Sequence, residues 1–289
     1  MGTATAWTEL GEGLQVRRSL AYSMNTLVLL DPRHTVIVDP GVLPSELDDI
    51  AARVADRRPQ AVTLLFSHSH WDHVLGRPWW PRARAIAHER FAAALRATEP
   101  EIERAATEVA ARHGERFPAP FRAFAPDLGV GGEATLELGP WKLVLTPAPG
   151  HCPDQLAAHL PDRRLLFAAD MLSEHEIPAL DTPGPVFRHT LDALFPRFEN
   201  GQVETLVPGH GPVARGEAEC VARLLRDRLY LLELEVRVHA ARDAGLDLTG
   251  AARALEDMDY RSGRNEQPDY PLAPLHAENV RLVYEGLGT

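Results

Sequence analysis

Short apolar runs bounded by Gly, Pro and Asp divide the chain into two series of predicted β-strands. The strands cover residues 13–18, 26–30, 35–38, 61–66 and 83–87 in the first series, and residues 134–138, 142–146, 156–160, 164–168 and 204–207 in the second. Helical patterns cover residues 45–56, 190–198, 217–242, 249–258 and 275–286, the first of them with Ser45 as its N-cap. Strands and helices mix in both halves, which is typical of an α/β fold with two packed sheets covered by helices.

Residues 88–125 carry a helical pattern rich in Ala, Glu and Arg that ends in a Pro- and Phe-rich stretch. Two interpretations stay open for this segment. It forms either a pair of surface helices or a lid over a nearby site, because long insertions beside sites are often functional. In the second case Phe121 and Phe124 would line the site.

The composition is that of an ordinary globular protein, with 45% hydrophobic and 25% charged residues among 289. We expect a single domain, with a core over about residues 10–215 and a helical segment over about 216–289. The net charge of −11 argues against a nucleic-acid partner, because phosphate contacts need clustered cations. The sequence shows neither a secretory signal nor an apolar run of membrane-spanning length, so we expect a cytoplasmic chain with no membrane partner. Two distant cysteines exclude a disulfide framework and a Cys-rich zinc site.

Four metal-binding side chains follow the predicted strand 61–66 within six residues: His68, His70, Asp72 and His73. Neutral imidazole and carboxylate groups are ligands that zinc, iron and manganese accept. Without a metal, four such groups would repel one another on protonation or would each need a separate partner. The spacing H-x-H-x-D-H allows one loop to face two metal positions with different side chains.

Three further candidate ligands stand at the ends of later predicted strands. His151 and His210 each follow a strand through a Pro-Gly step, and Asp170 closes the strand 164–168. The chain therefore offers five His and two Asp, which are too many for one tetrahedral ion. Two ions that share Asp170 would use all seven and leave room for a bridging water, as in two-metal hydrolysis.

These motifs resemble those of the metallo-β-lactamase superfamily, in its glyoxalase II-like hydrolase branch. They stand in the family's order at compatible spacings over about residues 20–215, and residues 38–41 look like its early Asp turn. The resemblance implies a four-layer αβ/βα sandwich (the metallo-β-lactamase fold) with extra C-terminal helices. It also implies one ion held by His68, His70 and His151, a second held by Asp72, His73 and His210, and Asp170 as the bridge.

The resemblance implies a dinuclear metallo-hydrolase whose metal-bound hydroxide attacks a small ester, thioester or lactone. Asp72 would orient that hydroxide as a catalytic residue. We expect two divalent ions, with Zn²⁺ ahead of Fe or Mn, and a small-molecule substrate, and a homodimer is left open. Two alternatives share the fold: a mononuclear-iron sulfur dioxygenase, and a phosphodiesterase or nuclease that the acidic charge disfavours.

Residues near the motifs support narrower expectations. Three tryptophans are candidates for a pocket wall or for core packing: Trp71, Trp79 and Trp80. Three residues before a predicted strand are candidates for substrate contacts: Tyr22, Ser23 and Asn25. His175 either supports a metal ligand from behind or lies in an exposed loop, and we favour the exposed loop. We also predict that Cys152 is buried and unreactive.

Overall fold

The structure, a computed structural model, describes residues 7–182 and 185–286. Its first sheet has seven strands that pair in chain order. The first four form an antiparallel meander, and the fourth to the seventh run parallel to one another through crossover connections. These strands are β1 (Trp7–Gly11), β2 (Leu14–Arg18), β3 (Asn25–Leu29), β4 (His34–Val38), β5 (Ala61–Leu65), β6 (Arg84–His88) and β7 (Leu128–Val130).

The second sheet has six strands, again ordered as in the chain. All neighbouring pairs are antiparallel except β11 with β12, which run parallel because the helix Val186–Glu199 connects them. The strands are β8 (Ala134–Leu138), β9 (Trp141–Pro147), β10 (Leu156–Leu160), β11 (Leu165–Phe167), β12 (Thr205–Val207) and β13 (Ala214–Arg215).

Both faces of each sheet are buried, which gives four layers. Successive residues of a strand point to opposite faces, so Leu27 and Leu29 pack between the two sheets while Val28 packs beneath helices. The first sheet is covered by α1 (Pro44–Arg57), α2 (Phe91–Ala97) and α3 (Glu99–Arg112). The second is covered by α4 (Val186–Glu199), α5 (Glu217–Asp243), α6 (Leu248–Ala254) and α7 (Leu272–Gly286). The predicted four-layer αβ/βα sandwich with C-terminal helices is confirmed.

The start of α1 differs from the sequence prediction. The helix begins at Pro44, and Leu43 rather than Ser45 is its N-cap residue. The carboxylate of Glu46 accepts hydrogen bonds from the backbone N–H groups of Leu43 and Leu20, so the polar side-chain contact at the start of the helix comes from Glu46, and the N-cap side chain makes none. The Ser45 hydroxyl instead donates to Glu115, at 2.7 Å. The short strands β1 and β7 were also not predicted.

The segment 88–125 forms the helices α2 and α3, and the lid interpretation is wrong. Phe121 is 7% exposed, and the Phe124 ring lies 4.9 Å from the ring of Phe66. Both phenylalanines pack in the apolar cluster outside the first sheet, because that sheet needs a cover on its outer face. Across the described residues, no helix has the length and apolar character required to cross a bilayer.

Candidate metal centre

The seven predicted ligands meet at one edge of the two sheets, at strand ends. The loop after β5 carries four of them. Within this loop, Trp71–His73 form a single 3₁₀ turn that contains Asp72 and His73. His151 follows β9, Asp170 follows β11 and His210 follows β12. Loops at adjacent strand ends open on a common edge, which explains how residues more than a hundred positions apart converge.

Asp170 lies at the middle of this cluster. Its Oδ2 atom is 3.2 Å from Nε2 of His151 and 3.5 Å from Nε2 of both His68 and His210. Its Oδ1 atom is 3.3 Å from Nε2 of His73. One buried carboxylate thus faces four imidazoles, as a group shared between two cation sites would.

The remaining contacts divide the cluster into two groups whose ligand atoms lie within 4.8 Å of one another. The first group contains His68, His70, His151 and Asp170, and Nδ1 of His70 lies 2.9 Å from Nε2 of His151. The second group contains Asp72, His73 and His210, with 3.3 Å between Asp72 Oδ2 and His210 Nε2. These are the two sets that the resemblance implies.

The chemistry of the buried atoms fits metal ions. Nε2 of His68, Nε2 of His73 and Oδ1 of Asp170 are buried, and none of them has a hydrogen-bond partner among the described residues. Buried polar atoms without partners are costly and rare. Coordination to a divalent cation would satisfy all three, since each offers a lone pair to the same space.

The imidazoles are oriented by acceptors on their far side. Asp39 accepts from Nδ1 of His73 at 2.8 Å, and also from the backbone N–H of Ser67 at 2.7 Å and from its hydroxyl. Carbonyl oxygens accept from Nδ1 of His151 and from Nδ1 of His210, at 3.2 and 2.9 Å. Each contact fixes the proton on Nδ1 and directs the Nε2 lone pair into the cluster, as expected for metal-binding histidines.

The backbone near the cluster adopts conformations that are unusual for residues with side chains. Asp39 and Ala169 have φ values of 50°, in the left-handed region. A Cβ atom at Gly209 would lie 2.1 Å from Oδ1 of Asp170, so only glycine allows this close approach. Strained positions of this kind concentrate at functional sites.

Burial and charge divide the imidazoles into two electrostatic classes. Burial, with neighbouring imidazoles, holds the pKa of His68 well below its usual value and lowers that of His70 to about 3. Burial also acts to lower the pKa of His73 and His210, but nearby carboxylates, chiefly Asp170, outweigh it and raise both. His68 and His70 therefore present neutral lone pairs. At His151, burial acts to lower the pKa but Asp170 outweighs it, so a metal must displace protons at His73, His151 and His210.

The metal-free protein should lose stability as the pH rises. The pKa of His210 is raised from 6.5 to about 9, so the folded chain binds this proton more tightly than the unfolded chain. The stabilisation is complete below pH 6.5 and lost above pH 9, and the shift corresponds to about 3 kcal/mol. Urea unfolding of chelator-treated protein between pH 6.5 and pH 9 measures this loss in the free energy of unfolding. Stability that is flat or rises with pH would contradict the expectation, and metal-loaded protein, in which ions compete with protons, should show the opposite trend.

A cavity of about 410 Å³ opens over the cluster. Its outer wall is mostly apolar and includes a segment from the C-terminal part of the chain: Tyr22, Trp71, Ala179, Tyr270, Pro271, Pro274 and Leu275. His70, Asp72, His151, Asp170 and His210 form part of its lining together with Glu176, and Asp269 also lines it. A concave site with convergent polar groups and apolar walls is typical of small-molecule binding.

The neighbouring residues divide between the cavity and the framework. Tyr22 and Trp71 line the cavity, as expected. Trp79 and Trp80 lie outside it: the Trp79 indole donates to Asp48 at 2.7 Å, and Trp80 packs outside the first sheet. Asn25 is buried, and its amide donates to the carbonyls of Pro208 and Gly211 at 2.9 and 2.8 Å. It therefore supports the His210 loop, as does the Ser23 carbonyl, which accepts from the Gly211 N–H.

Two further predictions concern His175 and Cys152. The exposed position predicted for His175 is wrong: its side chain packs against Gly211, and only 6% of the residue is exposed. Cys152 is buried, as predicted, and burial together with Asp154 holds the pKa of its thiol well above the usual value.

Sequence reasoning missed two polar residues in the cavity. Glu176 is buried beside Asp170 and His210, its Oε1 atom has no hydrogen-bond partner among the described residues, and burial raises its pKa to about 7. The hydroxyl oxygen of Tyr270 lies 2.6 Å from Nδ1 of His210. Neither residue stands at a strand end or within a ligand motif, so no local signal marks them.

Known proteins share this fold. The sequence model of the metallo-beta-lactamase superfamily matches residues 22–210. No protein of curated function matches the sequence. The stereoselective inverting sec-alkylsulfatase Pisa1 from Pseudomonas sp. is similar with a TM-score of 0.74 at 17% identity, over 97% of this chain and 50% of that protein. A beta-lactamase domain protein from Burkholderia ambifaria has a TM-score of 0.66 at 17% identity, over 99% of this chain and 90% of its own.

A metallo-beta-lactamase from Pontibacter korlensis is also similar, with a TM-score of 0.52 at 15% identity, over 76% of this chain and 98% of its own. Identities this low show a shared fold and nothing finer, and the chain spans half the length of the alkylsulfatase. The superfamily match, however, covers more than half of the chain and includes all seven clustered side chains. The chain therefore belongs to the metallo-β-lactamase superfamily.

Proposed function

We propose that the protein is a dinuclear metallo-hydrolase of small, uncharged esters, thioesters or lactones. The observation that carries the proposal is the convergence of seven ligand-type side chains beneath an apolar cavity. One ion would be held by His68, His70 and His151. The other ion would be held by Asp72, His73 and His210, and Asp170 would contact both ions. Two ions, with Zn²⁺ preferred for an imidazole and carboxylate set, supply Lewis acidity and lower the pKa of water.

The lining of the cavity favours a substrate without negative charge. Among the described residues that line it, none is Arg or Lys, whereas Asp269 and Glu176 add acidic groups beyond the ligands. Sulfate and phosphate groups are commonly bound by guanidinium or ammonium side chains. A carboxylic ester or lactone with an apolar substituent would fit the walls formed by Tyr22, Trp71 and Leu275.

Asp72 lines the cavity and contacts His73 and His210, with its nearest oxygens 3.7 and 3.3 Å from their Nε2 atoms. A carboxylate at this position accepts a hydrogen bond from the attacking water and orients it towards the substrate carbonyl. We therefore retain for Asp72 both a ligand role and a positioning role. Glu176 is a further candidate ligand on the side of the second ion, because it forms a third close group with Asp170 and His210.

The Tyr270 hydroxyl is a hydrogen-bond donor available to the substrate. Nδ1 of His210 lies 2.6 Å from the Tyr270 hydroxyl and 2.9 Å from the Tyr22 carbonyl. A carbonyl can only accept, and Nε2 of His210 faces the carboxylates, so Nδ1 carries the proton and donates to both oxygens. The Tyr270 hydroxyl then keeps its own proton for a group in the cavity, where it would stabilise the oxygen that becomes negative as the carbonyl is attacked.

Tyr270→Phe should lower kcat/KM about 10- to 100-fold while metal content is unchanged, because one hydrogen bond to a developing charge is lost. Tyr22→Phe is the matched control. It removes a hydroxyl from another ring of the cavity wall, but that hydroxyl lies against Arg112 of α3, at 2.7 Å, and not beside a candidate metal ligand. Steady-state kinetics and metal analysis of both variants measure the difference. Equal rates for the two variants would contradict the role given to Tyr270.

A substrate panel tests the proposed function. Metal-loaded protein is assayed with neutral carboxylic esters, thioesters, lactones, β-lactams, a secondary alkyl sulfate and a chromogenic phosphodiester. We expect kcat/KM for the best neutral ester, thioester or lactone to exceed that for the alkyl sulfate by about 100-fold or more, a difference of about 3 kcal/mol. A preference for the sulfate or the phosphodiester would overturn the proposal.

A further inference from the structure

An apolar line on the surface of α5 has no partner among residues 7–182 and 185–286, which the structure describes. Leu225, Leu229, Leu232 and Val236 are 37%, 64%, 47% and 58% exposed, and we call these four residues the α5 seam. Large apolar side chains that are exposed singly need no explanation, but a continuous line of them marks an interaction surface.

The spacing of the seam is that of a helix pair. Its residues follow one another at intervals of four, three and four, which is the a/d spacing of a coiled coil. The opposite face of α5 is occupied already, because Leu224, Leu231 and Leu234 are buried against the second sheet and its helices. The seam is therefore a second apolar face on one helix, and α5 has 27 residues, about 40 Å of helix.

The surface beside the seam is shaped to receive side chains. One depression of about 340 Å³ lies along Leu225 and Leu229 and is bounded by Tyr260. Another, of about 180 Å³, lies along the same leucines on the other side and is bounded by Arg188 of α4. A ridge with a groove on each side can pack against an identical ridge and grooves.

The charges at the edges of the seam are complementary to themselves under a two-fold rotation. Arg226 and Glu233 stand on one edge, Arg228 and Glu235 on the other, and each pair is centred within one residue of the middle of the seam. An antiparallel pairing of two α5 helices about that point brings each arginine towards the glutamate of the same edge in the second copy. All four charges also have contacts within the chain. Arg228 lies 2.5 Å from Asp192, Glu235 lies 3.0 Å from Arg188 and Glu233 lies 3.3 Å from Arg237, while Arg226 donates to the carbonyls of Ser173 and Gly263.

We propose that the protein forms a two-fold symmetric homodimer in which the α5 seams of two copies pack antiparallel. Leu229 of each chain then packs against Leu232 of the partner subunit, and Leu225 against Val236 of the partner subunit. The walls formed by α4 and by residues 259–264 extend the contact on both sides. The dimer does not depend on which substrate the metal centre hydrolyses.

The mass of the full-length protein in solution tests the proposal. Light scattering after size exclusion should give two chains for the wild type and one for Leu229→Asp, because burial of a carboxylate in the apolar seam is costly. Leu20→Asp is the matched control, since Leu20 is 75% exposed away from α5, and it should remain a dimer. Leu232→Asp repeats the test if Leu229→Asp does not fold, as judged by circular dichroism. A monomeric wild type or a dimeric Leu229→Asp would overturn the proposal.

Disulfide trapping tests the antiparallel arrangement separately. Under mild oxidation, an equimolar mixture of the Leu229→Cys and Leu232→Cys proteins should give a cross-linked dimer that neither gives alone. The native Cys152 and Cys220 are 2% and 0% exposed and should not react. Cross-linking of Leu229→Cys alone and of Leu232→Cys alone, with no additional cross-linked dimer in the mixture, would show parallel helices and overturn the arrangement.

Discussion

Replacing Asp170 by Asn should remove most of the bound metal and lower kcat/KM by about a thousandfold or more. The carboxylate lies within 3.5 Å of four imidazoles, and no other described side chain occupies this central position. Asparagine keeps the size of the side chain but loses the charge that both ion sites share. A loss of this size corresponds to about 4 kcal/mol of transition-state stabilisation, the upper end of the effects of single electrostatic groups.

Metal analysis and kinetics of the purified Asp170→Asn variant measure both effects. His159→Gln is the control, because His159 is also buried and its Nε2 atom bonds to the Gln202 carbonyl at 3.0 Å, away from the cavity. This variant should keep its metal and its activity. An Asp170→Asn variant with full metal content and wild-type turnover would contradict the role given to the carboxylate.

The second large effect is expected from Arg264→Met, which should lower the free energy of unfolding by about 3–5 kcal/mol. Arg264 and Asp227 form an ion pair of 2.6 Å in which their side chains are only 1% and 2% exposed. Arg264 also donates to the carbonyls of Ser173 and Glu176, and Asp227 accepts from the Leu172 N–H. Removing the guanidinium leaves the buried carboxylate with only the more distant Arg226, at 3.8 Å, as a cationic partner, and it frees the loop that follows Asp170.

For a chain of this size, the loss should lower the thermal midpoint by roughly 10 °C. Thermal unfolding followed by circular dichroism measures it. Arg104→Met is the control, because Arg104 and its partner Glu108 are 66% and 58% exposed and such pairs contribute little. If the midpoints of the two variants fall equally, the buried pair does not have the stabilising role assigned to it.

The sequence was sufficient to predict the layers and the set of seven candidate ligands that converge, because both depend on local patterns. Apolar runs indicated β2 to β6 and β8 to β12 to within a few residues. Ligands at strand ends could be grouped because adjacent strands of a sheet bring their ends together. The positions of His151, Asp170 and His210 after β9, β11 and β12 follow from that rule.

Other features depend on tertiary contacts that no local pattern contains. Glu176 and Tyr270 face the cavity because Arg264, in the segment before α7, donates to carbonyls of the 173–176 loop. The ion pair of Arg264 with Asp227 ties the same segment to α5. The lid interpretation was wrong because Phe121 and Phe124 cover the first sheet, whereas residues 269–275 wall the cavity. Asp39 was recognised as part of a turn, but its bonds to Ser67 and His73 required coordinates.

The number of metal ions per chain tests the central claim most directly. Elemental analysis of the protein as purified, paired with ester hydrolysis before and after chelation, should give two divalent ions per chain. Activity should disappear on chelation and return when Zn²⁺ is added back. One iron ion per chain would indicate the mononuclear alternative, and undiminished hydrolysis by metal-free protein would contradict the account.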